Sequence, residues 1–465
     1  MIVVSHRGPY LFSLGEGGVV ATRGPGGLAG TLHALATSSD ALRDACCISA
    51  ANSDGDRAVA GGAPTPELGT DVRFVELDPE AHQLHIEVIS NEVLWFLFHG
   101  LFDLVREPTF DESLRPAWDA YVEVNRVFAN EVAEFASRGD TVLVQDYPLA
   151  LVPGMLRESR PDLRLSYFAH TPFCGASSIR VLPDYMAHAL CASLASAPAG
   201  FHTRRWVREY SASVLEVLGD DPLHDDSCFV APLGPDPTAF SRVAASDAVV
   251  AAARDVDALV GERTMIFRTD RIDPAKNIVR GFLAYDRLLD THREWRERVV
   301  FVAMLTNSRV NLAEYVRYQE EVADAVTAVN DRWSTPSWRP IVVDTVDDFE
   351  RTVAGFTRYD VLMVNSLKDG LNLVAKEGPL VNARDGVLCL SPETGSYEEL
   401  SEAAIEVHPW DVAESADALH RALSMPPHER AARSSGDIDR ARCNASADSA
   451  TSHGWTWMAA LHSSS

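Results

Sequence analysis

Eight short apolar runs recur along this chain with longer helical patterns between them: MIVV at 1–4, TVLVQ at 141–145, LRLSYFAH at 163–170, TMIFRTD at 264–270, VVFVAML at 299–305, PIVVD at 340–344, DVLMVNS at 360–366 and GVLCLS at 386–391. Runs that are apolar on both faces must be covered on both faces, and a strand parallel to its neighbour needs a helical crossover to return. Together these constraints predict a doubly wound parallel α/β fold. A chain of 465 residues is too long for one hydrophobic core, which stops growing near about 250–300 residues. Two Rossmann-like domains are therefore expected.

The segment CFVAPLGPDPTAF at 228–240 carries a closing strand and a Pro-rich stretch, and the βα rhythm restarts near Thr264. This places a boundary at residue 240, with domains at 1–240 and 241–453. GWTWMAALHSSS at 454–465 reads as an amphipathic helix crossing back to the first domain, behind a Ser-, Ala- and Asp-rich stretch at 434–453. Ligands bind outside the carboxyl ends of parallel strands. Two such domains would set those ends opposite each other, so a cleft between them is the expected site.

Lys and Arg number 41 against 67 Asp and Glu, a formal charge of -26, which argues against nucleic acid or an anionic membrane as partner. An anionic ligand would need a local basic pocket. The seven Cys show no CxxC pair or zinc-type cluster, so no metal site is expected and the thiols read as reduced. MIVVSHRG runs straight into a strand, and no stretch reaches the roughly 18 apolar residues of a membrane helix. A cytoplasmic location is expected, and the sequence is compatible with a homo-oligomer.

Four segments carry candidate chemistry. SHRGPY at 5–10 and RGPGGLAGTL at 23–32 place Arg7 at a strand end and then Gly26, Gly27 and Leu28 at a helix start, where backbone N–H groups can approach a phosphate. Taken alone, such a loop serves equally as a turn. DRIDPAKN at 270–277 puts Arg271 and Lys276 around Pro274 at the end of TMIFR; a planar fork and a movable point charge can grip a pyrophosphate and neutralise it as it leaves.

KDGLNLVAKEG at 368–378 predicts a helix start near Leu371, with Gly370 and its neighbours donating backbone N–H groups to a phosphate. Asp369 can hold sugar hydroxyls, and Glu377, one to two turns on, a ribose diol. Asp146 and His170 each end a buried strand, in VQDYPLALVPG and FAHTPF, where they can orient hydroxyls; a His beside Pro is equally a structural histidine.

Taken in order, SHRGP, GGL, SNEVLWFLFHG, QDYPL, FAHTPF, DRIDPAKNI, KDGLNLVAKE and LSPETGSYEEL resemble the motifs of the trehalose-6-phosphate synthase family, retaining transferases of the GT-B fold. QDYPL is similar to that family's HDYHL, DRIDPAKNI to its ERLDYSKG, and KDGLNLVAKE to its RDGMNLVAKE. The resemblance implies that Arg271, Lys276 and the Gly370, Leu371, Asn372, Leu373 and Val374 segment bind a donor diphosphate. It implies that Glu377 holds the ribose, Asp369 and His170 the transferred sugar, and Asp348 to Thr352 the base. Asp146 and Trp95 would face the acceptor, with Arg7 and Arg309 on its phosphate. Nucleotide sugar and sugar phosphate are then the partners, with no cofactor and no metal, and the leaving phosphate takes the acceptor's proton in a front-face attack.

The departures gather on the acceptor side. Ile86 stands where the family has a Tyr, Pro148 replaces the second His of HDYHL, and CGASSIRVLP follows HTPF. KNIVRGFLAYDRLLD and EGPLVNARDG resemble the actinobacterial branch, which includes GDP-glucose-dependent synthases and pseudo-glycosyltransferases of aminocyclitol antibiotic pathways. That wording predicts a GDP-hexose donor. The nearest alternative is a related transferase of specialised metabolism with another donor or acceptor. A GT-B protein that only binds, or an epimerase, is disfavoured by the intact donor motifs and the lack of paired acids.

Overall fold

A computed structural model gives the fold. It describes residues 1–443 apart from 16–17, 25–28, 30–31, 34–44, 220–222 and 225, with backbone alone for 437–443. Gly26, Gly27, Leu28 and the helix expected at 454–465 lie outside the described residues. The chain divides into two compact units, Met1–Pro232 and one that begins at Leu233. The division falls ahead of residue 240 because the helix Pro237–Ala244, capped by Asp236, buries Phe240 in the core of the second unit.

The first unit holds β1 (Ile2–Val4), β2 (Tyr10–Gly15), β3 (Gly18–Arg23), β4 (Cys46–Ala50), β5 (Asp71–Val75), β6 (Thr141–Gln145), β7 (Arg164–Phe168), β8 (Ala199–Phe201) and β9 (Cys228–Val230). Seven of these form one sheet in the order β5-β4-β1-β6-β7-β8-β9, parallel at every pairing. Between SHRGPY and RGPGGLAGTL the chain makes the antiparallel hairpin β2-β3. The long helix Leu114–Phe135 buries Trp118, Tyr121, Asn125, Phe128 and Val132, a three-and-four spacing that gathers one face, packed chiefly against the π-helix Leu84–Leu94 and the helix Val152–Ser159. Asn125, at 0% exposure, is fully used: its Nδ2 donates to Tyr121 O and Pro148 O, and its Oδ1 accepts from Leu151 N. It thereby ties that helix to the turn after β6.

The second unit holds β10 (Thr264–Arg271), β11 (Val299–Thr306), β12 (Ile341–Asp344), β13 (Val361–Val364), β14 (Val387–Leu390) and β15 (Ile405–Glu406). They run parallel in the order β12-β11-β10-β13-β14-β15. Successive residues of β10 enter opposite cores: Ile266 packs with Phe301, Ile341 and Met363, while Met265 and Phe267 pack with Val300, Leu362 and Leu388. Two covered faces explain the unbroken apolar runs.

In each sheet the strand order reverses beside the first strand of the unit. The switch lies between β1 and β6 in the first unit and between β10 and β13 in the second. Crevices at the carboxyl ends of such strands are where open α/β sheets take ligands. Among the described residues no helix is long and apolar enough to cross a membrane.

Candidate active site

At the switch of the second unit, the loop leaving β10 meets the loop leaving β13. Pro274–Lys276 forms a single 3₁₀ turn capped by Asp273, whose Oδ1 accepts from Ala275 N at 3.0 Å. That turn aims Lys276 Nζ at Asp369 Oδ2, 2.5 Å away. Burial works against the ammonium, but Asp369 and Asp270 outweigh it, and the Lys276 pKa sits above its ordinary value despite the nearby Arg271. Arg271, the last residue of β10, is exposed.

A residue without a sequence signal supports this loop from below. Arg268, 0% exposed, donates from Nε and Nη2 to Asp270 Oδ2 at 3.2 and 2.7 Å, and from Nη2 to Lys276 O at 3.0 Å. Gly281 makes room for it, since a Cβ there would stand 2.6 Å from Arg268 Nη1. Asn277, in the left-handed region at φ 58°, exchanges amide bonds with Asn365: its Nδ2 donates to Asn365 O at 2.9 Å and Asn365 Nδ2 to Asn277 O at 3.0 Å. Arg309 joins the same loop, donating to Asp273 Oδ2 and Tyr315 OH, both at 2.9 Å.

The helix in KDGLNLVAKEG starts later than expected, at Val374 and running to Val381. Asn372, at φ 71°, turns its Oδ1 onto Ala375 N at 3.1 Å and its Nδ2 onto Asp369 Oδ2 at 3.1 Å. That side chain consumes the first turn's donor and delays the helix, so Leu373 and Val374 stand at the helix start and Glu377 falls in the first turn rather than one to two turns on. The LSPETGSYEEL loop braces Gly370 and Leu371: Asp369 N donates to Glu393 O at 3.1 Å and Ser396 N to Leu371 O at 2.7 Å. A Cβ on Gly395 would come within 2.0 Å of Gly370 O, so only glycine fits. Asp348 and Thr352 bond a different helix start: Asp348 caps Phe349–Arg358 through Arg351 N, and Thr352 Oγ1 donates to Asp348 O at 3.1 Å.

At the switch of the first unit, β1 runs out into His6 and Arg7, and β6 into Asp146, Tyr147 and Pro148. Asp146 has φ 65°, a conformation that tertiary contacts must hold. Its Oδ1 accepts His170 N at 3.0 Å and its own N–H bonds Phe168 O at 2.8 Å. Burial pushes its pKa up to about 6, against the pull of backbone donors from His170, Tyr147 and Thr171. His170 Nε2 pairs with Gln145 Oε1 at 2.6 Å, which makes Nε2 the donor. Burial lowers the His170 pKa to about 3, so the ring is neutral. Trp95 opens the helix Trp95–His99, stacked on His99 at 3.8 Å with Tyr147 at 6.1 Å between ring centroids.

Three histidines, none singled out by sequence reasoning, gather beside Arg7. His6 Nε2 lies 2.7 Å from His82 Nε2, and the His6 ring centroid is 5.5 Å from that of His85. His85 Nε2 donates to Pro148 O at 2.8 Å, and its buried Nδ1 has no hydrogen-bond partner. The π-helix Leu84–Leu94 presents His85 inward, a wide-turn register that sequence periodicity does not reveal.

His292, Glu294 and His420 bring ligand atoms within 4.8 Å of one another. The two imidazoles stack at 3.6 Å and 8°, and Trp295 Nε1 donates to His420 Nδ1 at 3.0 Å. Ring lone pairs that run parallel in stacked planes do not converge on one ion.

Two doubly wound units, each with polar groups at its switch point, define the architecture of GT-B glycosyltransferases. The profile of glycosyltransferase family 20 matches residues 2–453, and the chain belongs to that family. It is 32% identical over 357 residues to an alpha,alpha-trehalose-phosphate synthase [UDP-forming] of Dictyostelium discoideum, covering 74% of this chain and 48% of that protein. The chain thus spans about half the length of that relative. Among solved structures it is similar to a trehalose-6-phosphate protein from E. coli bound with UDP-2-fluoro glucose, with TM-score 0.79, 25% identity and 95% of each chain covered. It is also similar to an alpha,alpha-trehalose-phosphate synthase (UDP-forming) of Burkholderia xenovorans in complex with glucose-6-phosphate, with TM-score 0.80, 26% identity, and 95% of this chain and 96% of that one covered.

Proposed function

We propose that this chain transfers a hexose, with retention, from a nucleoside diphosphate sugar to a sugar phosphate, forming an α,α-1,1-linked product such as trehalose 6-phosphate. The observation that carries this is the 2.5 Å Lys276–Asp369 pair, which joins DRIDPAKN to KDGLNLVAKEG at the β10/β13 switch. As the sugar–oxygen bond breaks, the departing diphosphate gains one negative charge on its terminal phosphate, and with it a demand for donors. Lys276, Arg271 and the N–H groups at Leu373 and Val374 supply them where charge develops, which lowers the barrier rather than merely binding substrate. Asp369 and His170 hold the transferred sugar, Glu377 the ribose, and Asp146 the acceptor hydroxyl. The leaving phosphate oxygen takes the acceptor's proton as the new bond forms on the same face, so the reaction needs no carboxylate nucleophile.

The named relatives are UDP-forming. The wording KNIVRGFLAYDRLLD and EGPLVNARDG supports GDP-glucose for this chain, within the actinobacterial branch. Ile86, Pro148 and CGASSIRVLP support a second reading, a transferase of specialised metabolism with an aminoglycoside- or aminocyclitol-type acceptor. A panel of GDP- and UDP-glucose against glucose 6-phosphate and amino-sugar or cyclitol phosphates, with products read by mass spectrometry, tests all of these. Absence of product from every pair sinks the transferase proposal; product only with the modified acceptors replaces the first reading by the second.

A further inference from the structure

The first unit holds a group of ionisable side chains that the proposed chemistry does not use. His6, His82 and His85 come from three separate elements: the end of β1, the helix Pro79–Gln83 and the π-helix Leu84–Leu94. Their ring centroids lie 5.0, 5.5 and 6.3 Å apart. A 2.7 Å Nε2 to Nε2 contact between His6 and His82 accommodates one proton, because two N–H groups facing each other repel. His85 donates its Nε2–H to Pro148 O, which leaves its buried Nδ1 lone pair without a hydrogen bond.

Among the described residues, Arg7 from the β1 end acts on His6, and Tyr121 from Leu114–Phe135 is stacked on His85 at 5.2 Å. Tyr121 in turn lies near Tyr147 and Asp146 at the end of β6. Burial, mutual repulsion and Arg7 all hold the His6 pKa well below its ordinary value, and burial lowers those of His82 and His85, the latter to about 4. With nothing anionic bound, the triad is neutral.

A phosphate dianion docked at Arg7 would bring two negative charges against one guanidinium. The remaining charge is what a proton on the triad would balance: burial opposes that proton, and the attraction of the dianion, strong in a site shielded from water, is what would offset it. We infer that His6, His82 and His85 determine the charge of the acceptor this site selects: a dianionic phosphate binds beside Arg7 together with one proton taken up by the triad. The proton comes from solvent and forms an N–H bond on a ring lone pair, and no other bond changes. This rests on the sugar-phosphate reading proposed above.

Proton uptake means that affinity falls by roughly tenfold per pH unit between the pKa of the free triad and its higher pKa in the complex. The ligand's own second ionisation, near pH 6, is complete at pH 8, so a proton appearing in that range enters the protein. The test is calorimetric titration of the full chain with glucose 6-phosphate, in the presence of nucleoside diphosphate, at pH 7.5 and 8 in buffers of different ionisation enthalpy. The wild type is expected to take up about one proton, and His82→Gln and His85→Gln, checked for folding by thermal melting, markedly less. Binding by the wild type without proton uptake, or equal uptake in the folded variants, overturns the inference and leaves the acceptor reading standing. No binding of glucose 6-phosphate or of any other phosphorylated sugar overturns the acceptor reading and this inference with it.

Discussion

Lys276 Nζ stands 2.5 Å from Asp369 Oδ2, although the two residues are far apart in sequence and leave different strands. The pair neutralises a cation and an anion in a half-buried pocket, and an incoming pyrophosphate must compete with the carboxylate for the ammonium. On the proposed transfer, the interaction that Lys276 makes in the resting site would be exchanged for one that strengthens as the leaving group gains charge.

Lys276→Ala and Arg271→Ala are each expected to lower kcat by about 100-fold or more, the scale for removing a donor aimed at developing charge, with acceptor KM changed little. Steady-state kinetics with the active donor and acceptor pair checks this. Wild-type kcat in either variant removes that residue from the leaving-group role.

Asp146 yields opposite effects on activity and stability. Its folded pKa of about 6 lies above the unfolded value of about 3.9, so the native state holds the proton more tightly. Its contribution to stability is full below about pH 4 and is lost as pH rises through 6. Asp146→Asn should raise the Tm at pH 8, with the difference vanishing near pH 4. The same change should cut kcat/KM by roughly 10- to 150-fold through the lost charged hydrogen bond and flatten the acid limb of the wild-type profile below pH 6. Melting curves and pH-rate profiles of the two proteins are the measurements.

Arg268→Ala leaves the Asp270 carboxylate buried without its partner, a change that costs about 3–5 kcal/mol. The variant should melt at markedly lower temperature, with the loss confined to the second unit by hydrogen exchange. An unchanged melting curve would mean that Arg268 carries no burial-dependent load.

Gly395→Ala drives a methyl group to 2.0 Å from Gly370 O, so the loop from Asp369 to Leu371 must shift. Donor KM should rise by about tenfold or more, with acceptor KM nearly unchanged, as equilibrium nucleotide binding would show. Displacements near 1 Å cost on the order of 100-fold in rate where groups are pre-aligned.

The eight apolar runs each became a strand because sheets covered on both faces write their burial directly into composition: β6 is TVLVQ and β11 is VVFVAMLT. Strands that bury little branched surface left no such trace. β4 is CCISA, β8 is AGF and β15 has two residues, and each is held by its neighbours' hydrogen bonds. On the site, the sequence alone determined that Arg271 ends a strand and that Lys276, Asp369 and Glu377 follow in the turn, loop and helix beyond β10 and β13, since local turn chemistry carries that information. It could not say that Asn372 delays that helix, that Arg268 lies under Lys276, or that His6, His82 and His85 share a pocket. Those relations join residues from different elements, and their energies come from burial and long-range hydrogen bonds, which exist only once the sheets have assembled.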